Sequence, residues 1–454
     1  MSARRGERAP REARAKEPMS RWRSWYSANM PDLAPVSTRS GRAPKIALVL
    51  AGGAARGAYE VGVVQHILED VSRDLGREAP LDILCGTSVG AINVCGLAAF
   101  ADEARSRARR LAAVWTRLRI DDLVRLDVRG VLAVGHDLLR GGAASAPSSG
   151  GRAALLDTSG LERQIAEAVP FERIDGHLER GLLSALTVST TLVKSGRTVV
   201  FVHRREPGLP PWSHDPTITP RATAIRAQHA LASSALPILF RPVNIDGELY
   251  CDGGLRQNVP LSPARRLGAD GVIVVNPRYI EPASSAAERD APGFPGPLFL
   301  LGKTLNALML DRIDNDLARL ESINGILEAG RRRYGEGFID GLNDELGLPP
   351  GRALRPMRSL LIRASKDIGS LAAEFVRSPA FRARTTSVLG RVMRRLAEGD
   401  EQREADFLSY LLFDGDFAGA LIEIGRADAR ARHEELCAFF ERALRPGGFE
   451  ERAP

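Results

Sequence analysis

The sequence predicts an α/β fold with a mainly parallel central sheet, and three stretches carry that prediction. Lys45 to Ala51 (KIALVLA) and Leu81 to Cys85 are short apolar runs rich in β-formers, and each leads through a glycine-bearing turn into residues at helical spacing. Gly271 to Asn276 (GVIVVN) is a third run of the same buried type. Strand, turn and helix in repeated succession are the pattern of parallel strands joined by helical crossovers. Beyond position 297 the pattern becomes mostly helical, which adds a C-terminal helical extension to the predicted architecture.

Taken in order, residues 1–43 hold ten Lys/Arg against four Asp/Glu, a balance of +6 within a net charge of +7 for the whole chain. Their low apolar content predicts a disordered basic tail. Trp22, Trp25 and Tyr26 beside Arg21 and Arg23 also suit a membrane interface, so peripheral membrane contact is the second reading of this tail. Lys45 to Ala51 opens the α/β domain, residues 44–280. It enters Gly52-Gly53-Ala54-Ala55-Arg56-Gly57 and then a helix from Ala58 to Val71, marked by Val61, Val64, Ile67, Leu68 and Val71. Leu81 to Cys85 is followed by Gly86-Thr87-Ser88-Val89-Gly90 and by a helix from Ala91 that runs on to Leu118, amphipathic around Leu111 and Trp115. Gly141 to Arg152 reads as a flexible loop, and Gly160 to Val169 as a helix capped by Asp157, Thr158 or Ser159.

Leu183 to Leu192 and Thr198 to His203 are strands around a Lys194 to Arg197 turn, and Glu206 to Pro220 is a proline-rich loop carrying Trp212. Ile225 to Ser234 is helical. Val243 to Ile245 and Leu249 to Cys251 flank Asp246-Gly247, a hairpin signal, and Asp252-Gly253-Gly254 follows at once. Residues 281–297 form a linker to the helical region 298–454. That region holds a long helix from Leu298 to Ala329, a strand from Ser359 to Ala364 and two or three closing helices. Phe407 to Phe413 (FLSYLLF) reads as helix core, with a lipid-facing or cleft-lining surface as the alternative.

Composition narrows the function classes. With 454 residues, 44% hydrophobic and 26% charged, the chain has ample core and belongs to neither a fibrous nor a disordered class. No apolar run reaches the length of a membrane span and no secretory h-region follows the first arginines, so the expected compartment is the cytoplasm. Cys85, Cys95, Cys251 and Cys437 form no CxxC pair and no zinc spacing, so they are expected to be reduced and mostly buried. If the runs ending in Cys85 and Cys251 finish at one sheet edge, those two thiols are near neighbours. His66, His136, His177, His203, His214 and His229 form no metal spacing either, and no metal or cofactor is expected.

The chemistry centres on G-x-S-x-G at Gly86 to Gly90. A serine on a tight strand-to-helix turn has its hydroxyl held outward, and it becomes a nucleophile when a base lies in reach and donors await the oxyanion. Asp252 is the candidate base. The turn at Gly52 to Gly57 has three other readings: a dinucleotide fingerprint fails at Ala54, a P-loop lacks its GK[ST] ending, and a plain tight turn remains. Its backbone N–H groups at a helix N-terminus suit an oxyanion hole, helped by the Val89 N–H.

Together these residues resemble the patatin-like phospholipase family. The likeness rests on the glycine-rich turn with Arg56-Gly57, on GTSVG, and on Asp252-Gly253-Gly254, in that order. Ala232-Ser233-Ser234-Ala235-Leu236-Pro237 and Asn258-Val259-Pro260 add to it. It covers about Lys45 to Pro277. It implies a three-layer sandwich, a Ser-Asp dyad of Ser88 and Asp252, and an oxyanion site on Gly52, Gly53 and Ala54, with support from Arg56, Gly57, Gly86, Val89, Gly90, Gly253 and Gly254. The implied partner is a lipid, with no nucleic acid. Ala54 departs from a three-glycine turn, and its methyl is tolerable where φ is negative. Arg56 either stabilises the turn or faces a phosphate headgroup. The rival enzyme reading is an α/β-hydrolase with a Ser88, Asp252, His433 triad, although His433 lies in a charged helix where a solvated histidine is expected. A catalytically silent lipid-binding scaffold is the third reading.

Overall fold

A computed structural model describes residues 43–123, 125–126, 154–210, 212, 217–280, 313–348, 353–385, 387–398 and 405–445. Residues 1–42, the Gly141 to Arg152 loop, the 281–297 linker and the first part of the helix expected from Leu298 lie outside them.

The strands are β1 (Ile46–Leu50), β2 (Ile83–Thr87), the short β3 (Arg125–Leu126) and β4 (Leu156–Asp157), β5 (Ala185–Leu192), β6 (Arg197–Arg204), β7 (Ile218–Ala222), β8 (Val243–Ile245), β9 (Glu248–Asp252), β10 (Gly271–Asn276) and β11 (Arg358–Arg363). Apart from the antiparallel β3–β4 pair, they form one sheet in the order β11-β10-β1-β2-β5-β6-β7, with β9 also on β5 and β8 on β9. Pairing is parallel from β11 through β5 and between β6 and β7, and antiparallel where β5 meets β6 and β9. Every residue of β1, β2 and β10 is buried, which is why these strands read as continuous apolar runs rather than alternating ones.

Successive side chains of a strand point to opposite faces, and two hydrophobic cores result. Ile46, Leu48, Leu50, Leu84, Ile273 and Val275 face one core; Ala47, Val49, Ile83, Cys85, Val272 and Val274 face the other. The first core is covered by α1 (Gly57–His66), α2 (Val89–Ala99), α3 (Arg107–Trp115), α4 (Ser159–Ala168), α5 (Arg173–Glu179) and α6 (Ala227–Ser233). The second takes Leu261 and Ala264 from α7 (Leu261–Arg266) and Leu317 and Leu320 from α8 (Ile313–Tyr334). Helices, sheet and helices make the expected three layers.

Several elements differ from expectation. The helix expected from Ala91 to Leu118 is two helices, because the chain turns at Ala104 (φ 42°) between α2 and α3. The physical reason is burial: ten of the eleven α2 residues are buried, whereas α3 buries one face, and one straight helix cannot do both. After α8 come α9 (Phe338–Glu345) and β11, which joins the sheet beside β10. Six helices then close the described chain, where two or three were expected: α10 (Ile368–Arg377), α11 (Pro379–Arg384), α12 (Val388–Glu398), α13 (Ala405–Leu411), α14 (Gly415–Ala431) and α15 (His433–Leu444). The extra breaks have local causes, among them the cap of α11 by Ser378 with Pro379 at its first turn and the cap of α14 by Asp414.

The C-terminal helices cover the outer face of α1. A Cβ at Gly62 would lie 1.9 Å from the Ile422 carbonyl oxygen, and one at Gly425 would lie 2.1 Å from that of Tyr59, so α1 and α14 cross backbone to backbone. The Tyr59 hydroxyl donates to Asp428 Oδ2 at 3.0 Å across this crossing. The consequence is that α1 is buried on every side. No described helix is long and apolar enough to cross a membrane.

Candidate active site

β5 acts as a splint on which two strands meet head to head. Its first half pairs in parallel with β2, so that Thr87 stands opposite Ser189; its last residues pair antiparallel with β9, so that Asp252 stands opposite Thr190. Both strands therefore arrive along the same edge of β5 from opposite directions and stop at adjacent positions. Ser88, the next residue after β2, and Asp252, the last of β9, are brought together across 164 positions of sequence, with Ser88 Oγ donating to Asp252 Oδ2 at 2.6 Å.

Both side chains are buried, Ser88 at 1% and Asp252 at 0% exposure. Asp252 Oδ1 accepts from the Gly254 N–H at 2.7 Å, which caps the short 3-10 turn Gly253–Leu255. Burial pushes the Asp252 carboxyl up from 3.8 to about 7, while the Ser88 and Gly254 hydrogen bonds pull the other way. A carboxylate poised near neutrality is suited to taking and returning a proton.

Ser88 has φ 54° and ψ −127°, a conformation that costs a non-glycine residue of order 1–3 kcal/mol. The surroundings hold it there: its N–H donates to Ser233 Oγ at 2.8 Å, and Ser233 Oγ donates to the Ser189 carbonyl at 2.6 Å. Gly86 and Gly90 make room for the bend. A Cβ on Gly90 would sit 2.4 Å from the Leu50 carbonyl oxygen, and one on Gly86 would sit 2.4 Å from that of Gly90. Val89 begins α2, where the first N–H groups have no intrahelical partner.

The glycine turn lies beside the dyad, since a Cβ on Gly52 would come within 3.0 Å of Ser88 Cβ and 2.2 Å of Asn258 Oδ1. Gly52 N–H donates to the Asn258 carbonyl at 3.2 Å, and Asn258 Nδ2 donates to the Gly52 carbonyl at 3.3 Å. The Gly52 N–H is thus engaged, whereas Gly53 and Ala54 stand at the start of the 3-10 turn Ala54–Arg56, where the first N–H groups lack partners within the turn. Ala54 has φ 48°, not the negative value under which its methyl is unstrained. Gly57 starts α1 against Val89. Arg56 is 3% exposed; its Nε donates to Ser409 Oγ at 2.7 Å and its guanidinium lies 4.3 Å from the Tyr410 ring centroid. It therefore braces the turn against α13, and Phe407 to Phe413 is buried as core behind it.

His433 is not brought to Ser88. Its ring nitrogens face His66 Nε2 and Asp74 Oδ2 at 3.0 and 2.9 Å, and His66 is the last residue of α1, whose ten residues separate it from the glycine turn by roughly 14 Å. It is half-buried and bonded, not solvated. Cys85 and Cys251 are not neighbours either: they lie on the same edge of β5 but four of its residues apart, Cys85 opposite Thr187 and Cys251 opposite Thr191, roughly 13 Å along the strand. All four cysteines are free. The sequence marked Ser233 and Asn258 only as parts of motifs, without a role, and did not mark Gln257 or Thr191. Thr87 Oγ1 donates to the Gln257 carbonyl at 2.9 Å, and Thr191 Oγ1 donates to that of Asp252 at 2.9 Å. For Thr191 the sequence offers only a short polar residue set into an otherwise apolar stretch.

Residues 48–265 match the family model for patatin-like phospholipase. The uncharacterised protein YjjU of Escherichia coli is 27% identical over 246 residues, 54% of this chain and 55% of that protein. An uncharacterised NTE family protein of Mycobacterium tuberculosis is 27% identical over 254 residues, 54% of this chain and 53% of that protein. The chain spans about half the length of the curated relatives it matches. Among solved structures, VipD from Legionella pneumophila aligns over 83% of this chain and 92% of that one at 12% identity, with a TM-score of 0.24, too loose a superposition to carry an argument.

Proposed function

We propose that the chain, whose residues 48–265 match the family model for patatin-like phospholipase, hydrolyses fatty-acyl esters of phospholipids or lysophospholipids through a Ser88–Asp252 dyad. The observation that carries this reading is the 2.6 Å hydrogen bond from Ser88 Oγ to Asp252 Oδ2 at the strained turn where β2 and β9 meet.

In the proposed reaction Ser88 Oγ attacks the ester carbonyl carbon and its proton passes to Asp252 Oδ2. The carbonyl oxygen becomes an oxyanion that accepts hydrogen bonds from the Gly53 and Ala54 N–H groups, helped by the Val89 N–H at the start of α2. Collapse of the tetrahedral intermediate breaks the bond to the alcohol oxygen, which leaves with the proton held by Asp252. The acyl group stays on Ser88. Water then attacks the acyl carbon, gives a proton to Asp252, and the second collapse returns that proton to Ser88 Oγ as the fatty acid leaves. Every proton has a named carrier, and neither a histidine nor a cofactor takes part.

The test is release of free fatty acid from phosphatidylcholine vesicles and lysophosphatidylcholine micelles. Ser88→Ala and Asp252→Asn are expected to lose turnover by about 10²-fold or more, and His433→Ala is expected to keep it. Undiminished hydrolysis by Ser88→Ala sinks the proposal, and loss in His433→Ala with retention in Asp252→Asn returns the reading to another catalytic arrangement.

A further inference from the structure

At the end of α1 away from the glycine turn, three chemically different donors converge. His433 Nε2 lies 2.9 Å from Asp74 Oδ2 and 3.4 Å from Cys437 Sγ, and all three donor atoms lie within 4.8 Å of one another. Zinc bonds of about 2.0 Å to nitrogen or oxygen and 2.3 Å to sulfur, set at tetrahedral angles, put neighbouring donors roughly 3.3–3.6 Å apart. Two of the three separations, 2.9 and 3.4 Å, stand near that spacing, and the third is no more than 4.8 Å.

His433 and Cys437 are four residues apart in α15, so one face of that helix carries both. Asp74 comes from the helical turn Ser72–Asp74 that extends α1, 359 positions earlier. The other ring nitrogen of His433 is held from behind. Nδ1 lies 3.0 Å from His66 Nε2, and His66 Nδ1 lies 3.1 Å from Asp70 Oδ2. Asp70 is in turn held by Arg73 and Arg426 at 2.9 and 3.0 Å. A metal-ligating histidine characteristically has its second nitrogen oriented by such an outer partner, which fixes the ring and its tautomer.

We propose that Asp74, His433 and Cys437 bind one divalent cation of the zinc class, with His66 and Asp70 orienting His433 and water completing the coordination. The donor set fits that class: one thiolate, one imidazole and one carboxylate suit zinc or cobalt(II), and are poor for magnesium or calcium, which take oxygen. On binding, the Cys437 S–H proton is released and a sulfur–metal bond forms, so that thiolate and carboxylate together balance the dication. The bond would clamp the start of α15 to the end of α1, joining the C-terminal helices to the helix that begins at the glycine turn.

The test uses the untagged full chain, stripped with a chelator and titrated with cobalt(II) and then zinc. The expected result is one equivalent of cobalt with a thiolate-to-cobalt charge-transfer band, displaced by zinc, and a zinc-dependent upward shift in Tm. Cys437→Ser is expected to lose the band, and Asp74→Asn, at an exposed position, to weaken binding at least tenfold with unchanged circular dichroism. Cys85, Cys95 and Cys251 are buried, so Cys437 is the accessible thiol. Absence of a charge-transfer band in the wild-type chain, or a band that persists in Cys437→Ser, overturns the proposal.

Discussion

Ser88 and Asp252 are each held in a state they would leave if freed. The backbone of Ser88 is kept at φ 54° by Ser233 and by the packing of Gly90 on β1, and the carboxyl of Asp252 is kept from water. For Asp252 the sign of the consequence is fixed. The proposed base must be ionised to accept the Ser88 proton, so kcat/KM should fall about tenfold per pH unit below about 7. Stability runs the other way. The folded value of about 7 stands above the ordinary 3.8, so the protonated carboxyl contributes stability that is fully present below about 3.8 and is lost as pH rises through about 7. Asp252→Asn, neutral at every pH, should therefore melt above the wild type at pH 8, with the gap closing toward pH 4, while turnover is lost. A lower Tm for the variant at pH 8 contradicts this. Both residues were legible as candidates, because a serine and an aspartate set among glycines are chemical types visible in the chain itself. Ala54 was not: its positive φ is set by contacts of the folded turn, and nothing in its side chain signals it.

Among the elements, α1 shows where a pattern in the chain stops being informative. Val61, Val64, Ile67, Leu68 and Val71 mark a helix with one apolar face, and that face is buried as expected. The helix also carries Glu60, Gln65 and His66, which on a one-sided helix would meet water; here they are buried, Glu60 against Asn93 of α2 and His66 against His433 of α15, while α14 crosses α1 at Gly62. Burial holds the Glu60 carboxyl well above the usual range even though it accepts from Asn93 Nδ2 at 2.9 Å. The contact joins segments more than 350 positions apart, a distance over which local periodicity carries no information. Gly62 is the sensitive point. Gly62→Ala places a Cβ against the Ile422 carbonyl and should push α14 outward, at about 1–3 kcal/mol of overpacking. Urea unfolding is expected to show that loss, with a fall in kcat because α1 begins at the oxyanion turn. Unchanged stability contradicts the close crossing.

Across the whole molecule, the parallel half of the sheet and its helical layers were readable from strand, turn and helix repeats. The feature that makes a site was not. β9 runs antiparallel to β5 on the edge where β2 runs parallel to it, and that reversal sets Asp252 against Ser88. Likewise β11 returns from the helical region to extend the sheet beside β10, so the boundary expected at residue 280 does not separate sheet from helices. Resemblance of three ordered motifs supplied what periodicity lacked, because it pairs residues by chemistry rather than by spacing. The central claim is that this arrangement makes Ser88 the acyl-carrying nucleophile. It is tested most directly by reacting the chain with a fluorophosphonate and mapping the adduct by peptide mass spectrometry. The account predicts one adduct, on the peptide that bears Ser88, absent in Ser88→Ala and formed about 10²-fold more slowly in Asp252→Asn. An adduct on another residue, or labelling undiminished in Ser88→Ala, would contradict it.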